Sequence, residues 1–169
     1  MRKYLRIVDN NRATKGIRFA NFMIDRVIFN LFFFAIGFLG VLIDKVIGSY
    51  YFTNLFIKVS EVNRLVDILV TSVLFSIYTF LMEYFTQGRT IAKYITGTKV
   101  ITTDGQTPTL NEFFIRNISR AVPFDALSFL GETGWHDSWS DTRVVNIKNY
   151  ESERQAKSEI ETLGTKENV

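Results

Sequence analysis

Cysteine is absent from the 169 residues, histidine occurs once and proline twice. Without cysteine there is no disulfide framework, no thiolate metal site and no cysteine nucleophile. With His136 as the one histidine, a multi-histidine metal centre cannot form within a single chain. A strong field of one sign is missing too. The net charge is only +3, which gives no footing for a nucleic-acid partner.

What the chain does have is apolar residues, 47% of the total, and sixteen phenylalanines. The average is ordinary for a soluble protein, but the distribution is not. Two blocks hold much of the apolar content, Phe19 to Ile43 and about Val66 to Phe85. A hydrocarbon core of roughly 30 Å needs about 20 mostly apolar residues in a helix, and both blocks meet that length. The first is too long for a cleaved signal peptide and has no small-residue cleavage pattern near Ile43. The competing reading, two buried helices of a soluble domain, fits the lengths less well.

Charge asymmetry orients the spans. Ahead of the first, Arg2, Lys3, Arg6, Arg12, Lys15 and Arg18 face only Asp9. Between the spans, Lys45, Lys58 and Arg64 are offset by Asp44, Glu61 and Asp67; after the second, Arg89, Lys93 and Lys99 precede Asp104 and Glu112. The positive-inside rule therefore predicts cytoplasmic termini and an outer connection from Asp44 to Leu65, whose Tyr50, Tyr51 and Phe52 suit an interfacial belt.

After the second block, Gln87 and Gly88 break the helix, and Thr90 to Ile95 fit a short amphipathic turn. Thr98 to Thr102 alternates β-branched residues before an Asp104-Gly105 turn, and predicts a strand that pairs with Arg143 to Ile147. Residues 111–130 resemble a third span but are interrupted by Glu112, Arg116, Arg120, Pro123 and Asp125, so an interfacial or re-entrant helix is expected. The expected fold is an all-α membrane protein: an antiparallel two-span transmembrane hairpin, an interfacial or re-entrant third helix and a small cytoplasmic β element. It divides into a basic N-terminus (1–17), a membrane domain (18–147) and a polar tail (148–169) that reads as a frayed helix or disorder.

Polar residues inside the spans carry the functional information, because each needs a partner where water is scarce. Arg18, Asn21 and Asp25 share one face, with Arg26, Asn30 and Gly37 on the adjacent one. Ser72, Ser76, Thr79 and Glu83 form a matching face on the second span. The two faces are expected to pack together and to bring Glu83 near Asp25 and Arg26. With Phe19 at the boundary, Asp25 lies only about 9 Å deep at 1.5 Å per residue, within reach of water and snorkelling side chains. That depth favours a structural role for the cluster. His136 and Asp137 stand in a Trp135-to-Thr142 segment without a nucleophile elbow or an oxyanion hole, so a cap and turn is expected there rather than catalysis. No catalytic centre, metal site or cofactor is expected.

Four short stretches then fall into an order. They are Arg18-Phe19-Ala20-Asn21-Phe22-Met23-Ile24-Asp25; the segment from Gln87-Gly88-Arg89 to Thr98-Lys99-Val100 with Asp104-Gly105; Ile115-Arg116-Asn117; and His136-Asp137 followed by Ser140, Thr142 and Val144-Val145. In this order they resemble the RDD family of membrane proteins, named for one arginine and two aspartates, over about residues 12 to 147. The resemblance implies that Arg18, Asp25 and Asp137 are the defining residues; the polar groups read above add Glu83, Arg26 and His136 as ion, proton or structural partners. The chain departs from many members in having only a short apolar run at Ala121 to Leu130. Sodium/proton exchange has been proposed for some members and accessory roles for others.

Three roles follow as expectations. The first is an accessory, scaffold or regulatory subunit of a bacterial cytoplasmic-membrane assembly, with a protein partner or further copies of itself. The second is an oligomeric cation or proton transporter using Asp25 and Glu83. A membrane enzyme using His136 and Asp137 comes last. In addition, Arg89, Lys93, Arg116 and Arg120 are candidates for contact with anionic lipid.

Overall fold

A computed structural model describes residues 5–119 and 135–166. Two long helices dominate it, α2 (Lys15–Ile47) and α4 (Arg64–Phe85). At 1.5 Å per residue they reach about 50 and 33 Å, so α2 overshoots a bilayer core and α4 just fills one. Local chemistry sets their ends. Thr14 Oγ1 accepts from the Ile17 N–H at 3.3 Å, Gly48 closes α2 in the left-handed conformation, and the Asn63 side chain accepts from the Leu65 N–H.

Burial decides between a membrane helix and a soluble core helix. Only 17% of the most apolar 18-residue window of each helix is buried, and residues such as Phe32 and Phe34 stand 62% and 74% exposed. A soluble core would cover such a surface, whereas lipid tails match it. The buried positions of α2 are instead Arg18, Asn21, Asp25, Phe29, Gly40 and Asp44, and those of α4 are Phe75, Ser76, Thr79 and Glu83. The helices are thus apolar outside and largely polar inside.

The spans meet differently from the expectation. They touch through rings, with Phe75 edge-on to Phe22 at 5.8 Å and to Phe29 at 5.4 Å, and with Tyr78 5.8 Å from Phe29. The polar faces turn instead toward the segments that follow α4. The connection between the spans is also more ordered than an aromatic belt implies, since it contains α3 (Tyr51–Ser60). Asp44 holds the start of α3, accepting from the Phe52 and Thr53 N–H groups and from the Ser49 and Thr53 hydroxyls at 2.7–3.2 Å. Gly40 lets α3 approach, because a Cβ there would stand 3.1 Å from Cβ of Phe52.

At the opposite end lies a platform. After α5 (Ile91–Thr96), strand β1 (Thr98–Thr102) pairs antiparallel with β2 (Thr142–Asn146), from Thr98 opposite Asn146 to Thr102 opposite Thr142. Helices α6 (Leu110–Ser119) and α7 (Trp135–Trp139) lie between the strands in sequence, and α8 (Ile147–Lys166) follows β2. The N-terminal stretch joins this unit: the Leu5 N–H donates to Thr103 O at 3.0 Å and the Ala13 N–H to Val144 O at 2.8 Å. Helix α1 (Arg6–Asn10) adds Ile7 and Val8 to a core with Ile101, Val145 and Tyr150. The tail is helical as far as Lys166, anchored by Tyr150 and by the bond from Asn11 Nδ2 to Glu153, with residues 151–160 exposed.

One glycine joins the span to the platform. Gly88 has φ +100°, its N–H donates to Glu83 O, and its carbonyl accepts from the Val100 N–H at 2.9 Å. A Cβ there would lie 2.6 Å from Val100 O. We predict that Gly88→Ala costs about 1–3 kcal/mol, read as a lowered melting temperature in mild detergent. Gly16→Ala, where a Cβ meets nothing within 4 Å, should leave it unchanged or slightly raised.

Candidate functional site

Where the spans meet the platform, six charged side chains are almost fully withdrawn from solvent: Arg18, Asp25, Glu83, Lys93, Arg116 and Asp137, none more than 3% exposed. Three are cations and three are carboxylates, so the cluster is neutral. An isolated charge in such a place costs many kcal/mol, so its partners largely determine whether the fold can hold it.

Arg116 on α6 is the hub. Its Nη1 donates to Asp137 Oδ1 on α7 and, at 2.9 Å, to Thr142 Oγ1 on β2; its Nε lies 3.4 Å from Glu83 Oε2 on α4. Burial acts against this charge, but the Asp137 and then the Glu83 carboxylates outweigh it and hold the guanidinium pKa above its ordinary value. Arg116 therefore stays charged at any accessible pH. Asp137 uses its second oxygen for Arg18, whose Nη1 is 3.3 Å from Oδ2. Glu83 takes Lys93 Nζ on Oε1 and Asn117 Nδ2 on Oε2, the latter at 2.9 Å. Ser76, two turns earlier on the same α4 face, donates to the Asn117 carbonyl.

Asp25 stands apart from that chain. Its Oδ2 accepts from the Thr90 hydroxyl at 2.6 Å and its Oδ1 from the Ala92 N–H at 3.1 Å, which places the carboxylate at the first turn of α5. One turn earlier on α2, Asn21 Nδ2 donates to Thr98 Oγ1 at 3.0 Å while its Oδ1 accepts from Thr96 at 2.7 Å. The α2 polar face thus grips the platform at three successive points: Arg18 on α7, Asn21 on β1 and Asp25 on α5.

Several sequence expectations change here. Glu83 binds neither Asp25 nor Arg26; its partners are Lys93, Arg116 and Asn117. Arg26 lies 5.0 Å over the Phe75 ring and has no ion pair among the described residues. Lys93 and Arg116 cannot meet lipid headgroups, because both are internal ion-pair partners. Arg89 stays at the surface, stacked 5.2 Å over Tyr94. Arg120, Pro123 and Asp125 lie outside the described residues, as does the side chain of His136, whose backbone belongs to α7. Lys93, Thr90 and Asn117 enter the site without having been singled out for it. Charge parity was the available signal for Lys93, since two buried carboxylates on neighbouring spans call for more than one cation.

The geometry defines a small membrane protein with two apolar helices, tied by a neutral buried ion cluster to a compact platform. The model of the RDD family matches residues 12–145, most of the chain, and the protein belongs to that family. No curated protein and no solved structure matches it.

The shared carboxylate makes a clear thermodynamic prediction. Asp137→Leu leaves Arg18 and Arg116 short of counter-charge and should lower unfolding free energy by about 3–5 kcal/mol in detergent. Adding Arg18→Met should recover part of that loss, whereas strictly additive losses would show that the pair is uncoupled.

Proposed function

We propose that the protein is an accessory or scaffold subunit that holds its platform rigidly against the cytoplasmic face of a membrane for use by a larger assembly. One observation carries this reading: every oxygen of the three buried carboxylates already has a donor from the protein's own chain. A cation entering here would have to compete with donors that join α2, α4, α5, α6 and α7, so exchange would loosen the contacts between these elements.

Topology supports the same reading. Residues 5, 98–102 and 142–146 share one hydrogen-bonded unit, so the N-terminus and both strands lie on the same side. Helix α2 therefore leads away from the platform and α4 returns to it. The excess of Lys and Arg before α2 and after α4 supports a cytoplasmic location for that side. The bonds to Asp25 and Asp137 are then clamps at the inner membrane boundary, and α8 extends from the platform as the accessible element.

Asp25→Asn tests the clamp, because it removes the charge that the first turn of α5 receives. The expected outcome is a several-fold fall in steady-state abundance and loss of partners that co-purify with the tagged wild-type protein. Unchanged abundance and partners would count against the proposal. Sodium-driven proton flux in proteoliposomes, abolished by the same substitution in folded protein, would replace it with ion exchange.

A further inference from the structure

Between Arg26 and Asp44, α2 carries a single polar side chain, Asn30. At 1.5 Å per residue it stands about 6 Å beyond Arg26 and about 21 Å short of Asp44. Any placement that keeps those two charged residues at the margins of a hydrocarbon layer of roughly 30 Å therefore puts the Asn30 amide inside it. The side chain is exposed on the helix, and among the described residues it has no hydrogen bond, even to its own backbone. Asn21 and Asn117, by contrast, are both bonded within the chain. An amide left bare in hydrocarbon is costly, so Asn30 calls for a polar partner at its own depth.

The direction of Asn30 shows which surface is open to that partner. Successive residues turn by about 100°, so Asn30 lies roughly 120°, 180° and 140° around the helix from Arg18, Asn21 and Asp25, the three that grip the platform. Met23, Val27 and Phe34 share its face at four- and three-residue spacing, and all three are exposed. That alternation is the seam through which parallel helices pack side by side. Toward the outer end the seam is closed by α3, whose Phe56 ring lies 3.6 Å from where a Cβ on Gly37 would stand. The open stretch from Met23 to Phe34 is thus about 17 Å long.

A second copy of the chain fits this surface. A primary amide both donates and accepts, so two Asn30 side chains satisfy each other. Copies inserted with the same orientation, related by a two-fold axis normal to the membrane, hold their Asn30 residues at one depth without adjustment. Arg26 does not intrude, because it stands beside the seam and is stacked 5.0 Å over Phe75 of its own α4. We infer that two copies pair in parallel through Met23, Val27, Asn30 and Phe34 of α2, with the two Asn30 amides bonded across the axis. Each platform is then held away from the seam. This surface is separate from the buried cluster and does not depend on the scaffold reading.

The absence of cysteine makes cross-linking of the full chain in membranes a clean test, since any disulfide comes from an introduced residue. Phe34→Cys should give a homodimer on oxidation, whereas Phe32→Cys, equally apolar and 62% exposed on the other side of α2, should not. Energy transfer between labelled copies in liposomes, followed as lipid dilutes the protein, then measures the amide. Asn30→Leu should raise the dissociation constant about ten-fold, and Asn30→Gln, which keeps the amide, should restore pairing. Asn30→Leu removes no bond within the chain, so its melting temperature in a dissociating detergent should be unchanged. Equal cross-linking from both cysteine positions, or undiminished pairing of folded Asn30→Leu, would overturn the proposal. So would a wild-type chain that stays monomeric in liposomes while Phe34→Cys in membranes cross-links to a different polypeptide, which would mark the seam as a contact with another protein.

Discussion

A guanidinium taken out of water has to be given counter-charge by the fold itself, and Arg116 is where this protein meets that demand most fully. Its neighbours come from α4, α7 and β2, elements far apart in sequence, and each of them is fixed by meeting it. Asp137 passes the constraint to Arg18 and so to α2; Glu83 passes it to Lys93 and so to α5. Apolar packing between the spans is limited to a few rings around Phe75. In lipid, where burying one apolar helix face against another gains little over burying it in acyl chains, such polar bonds give the arrangement its specificity.

The same physics explains the inverted pattern of the long helices. Residues that would form the core of a soluble bundle face outward, and the interior is built from Arg, Asn, Asp, Thr and Glu. Neutrality makes this tolerable: three cations balance three carboxylates in number, and Thr90, Asn117 and Thr142 add hydrogen bonds to Asp25, Glu83 and Arg116. Asp25 shows a second solution, since a hydroxyl and an N–H at the start of α5 stand in for a cation.

Much of the membrane character was legible in the sequence, because the lengths of the two apolar blocks state it directly. The family also was, since Arg18, Asp25 and Asp137 sit in recognisable stretches. What the sequence hid were the partners. Spacing along α4 showed that Ser76, Thr79 and Glu83 share a face, but periodicity cannot say what that face meets; α6, within the segment read as interfacial or re-entrant, buries two of its polar residues there, Arg116 and Asn117. The charges that argued against a third span over 111–130 include Arg116, an internal ion-pair partner, and composition does not distinguish a surface charge from a buried pair. Lys93 was misplaced for the same reason: a lysine after a span reads as positive-inside topology until a buried glutamate is found beside it.

The distance in sequence between Arg18 and Asp137 has a temporal meaning as well as a spatial one. They stand 119 residues apart, and Arg116 lies between them. Both apolar helices can therefore be made and inserted while Arg18, Asp25 and Glu83 still lack their final partners. During that interval the nascent protein has ionised groups at the bilayer margin that only water and headgroups can accommodate. Closure of the cluster therefore waits for α7, and a chain truncated before Asp137 would leave Arg18 and Arg116 without that counter-charge.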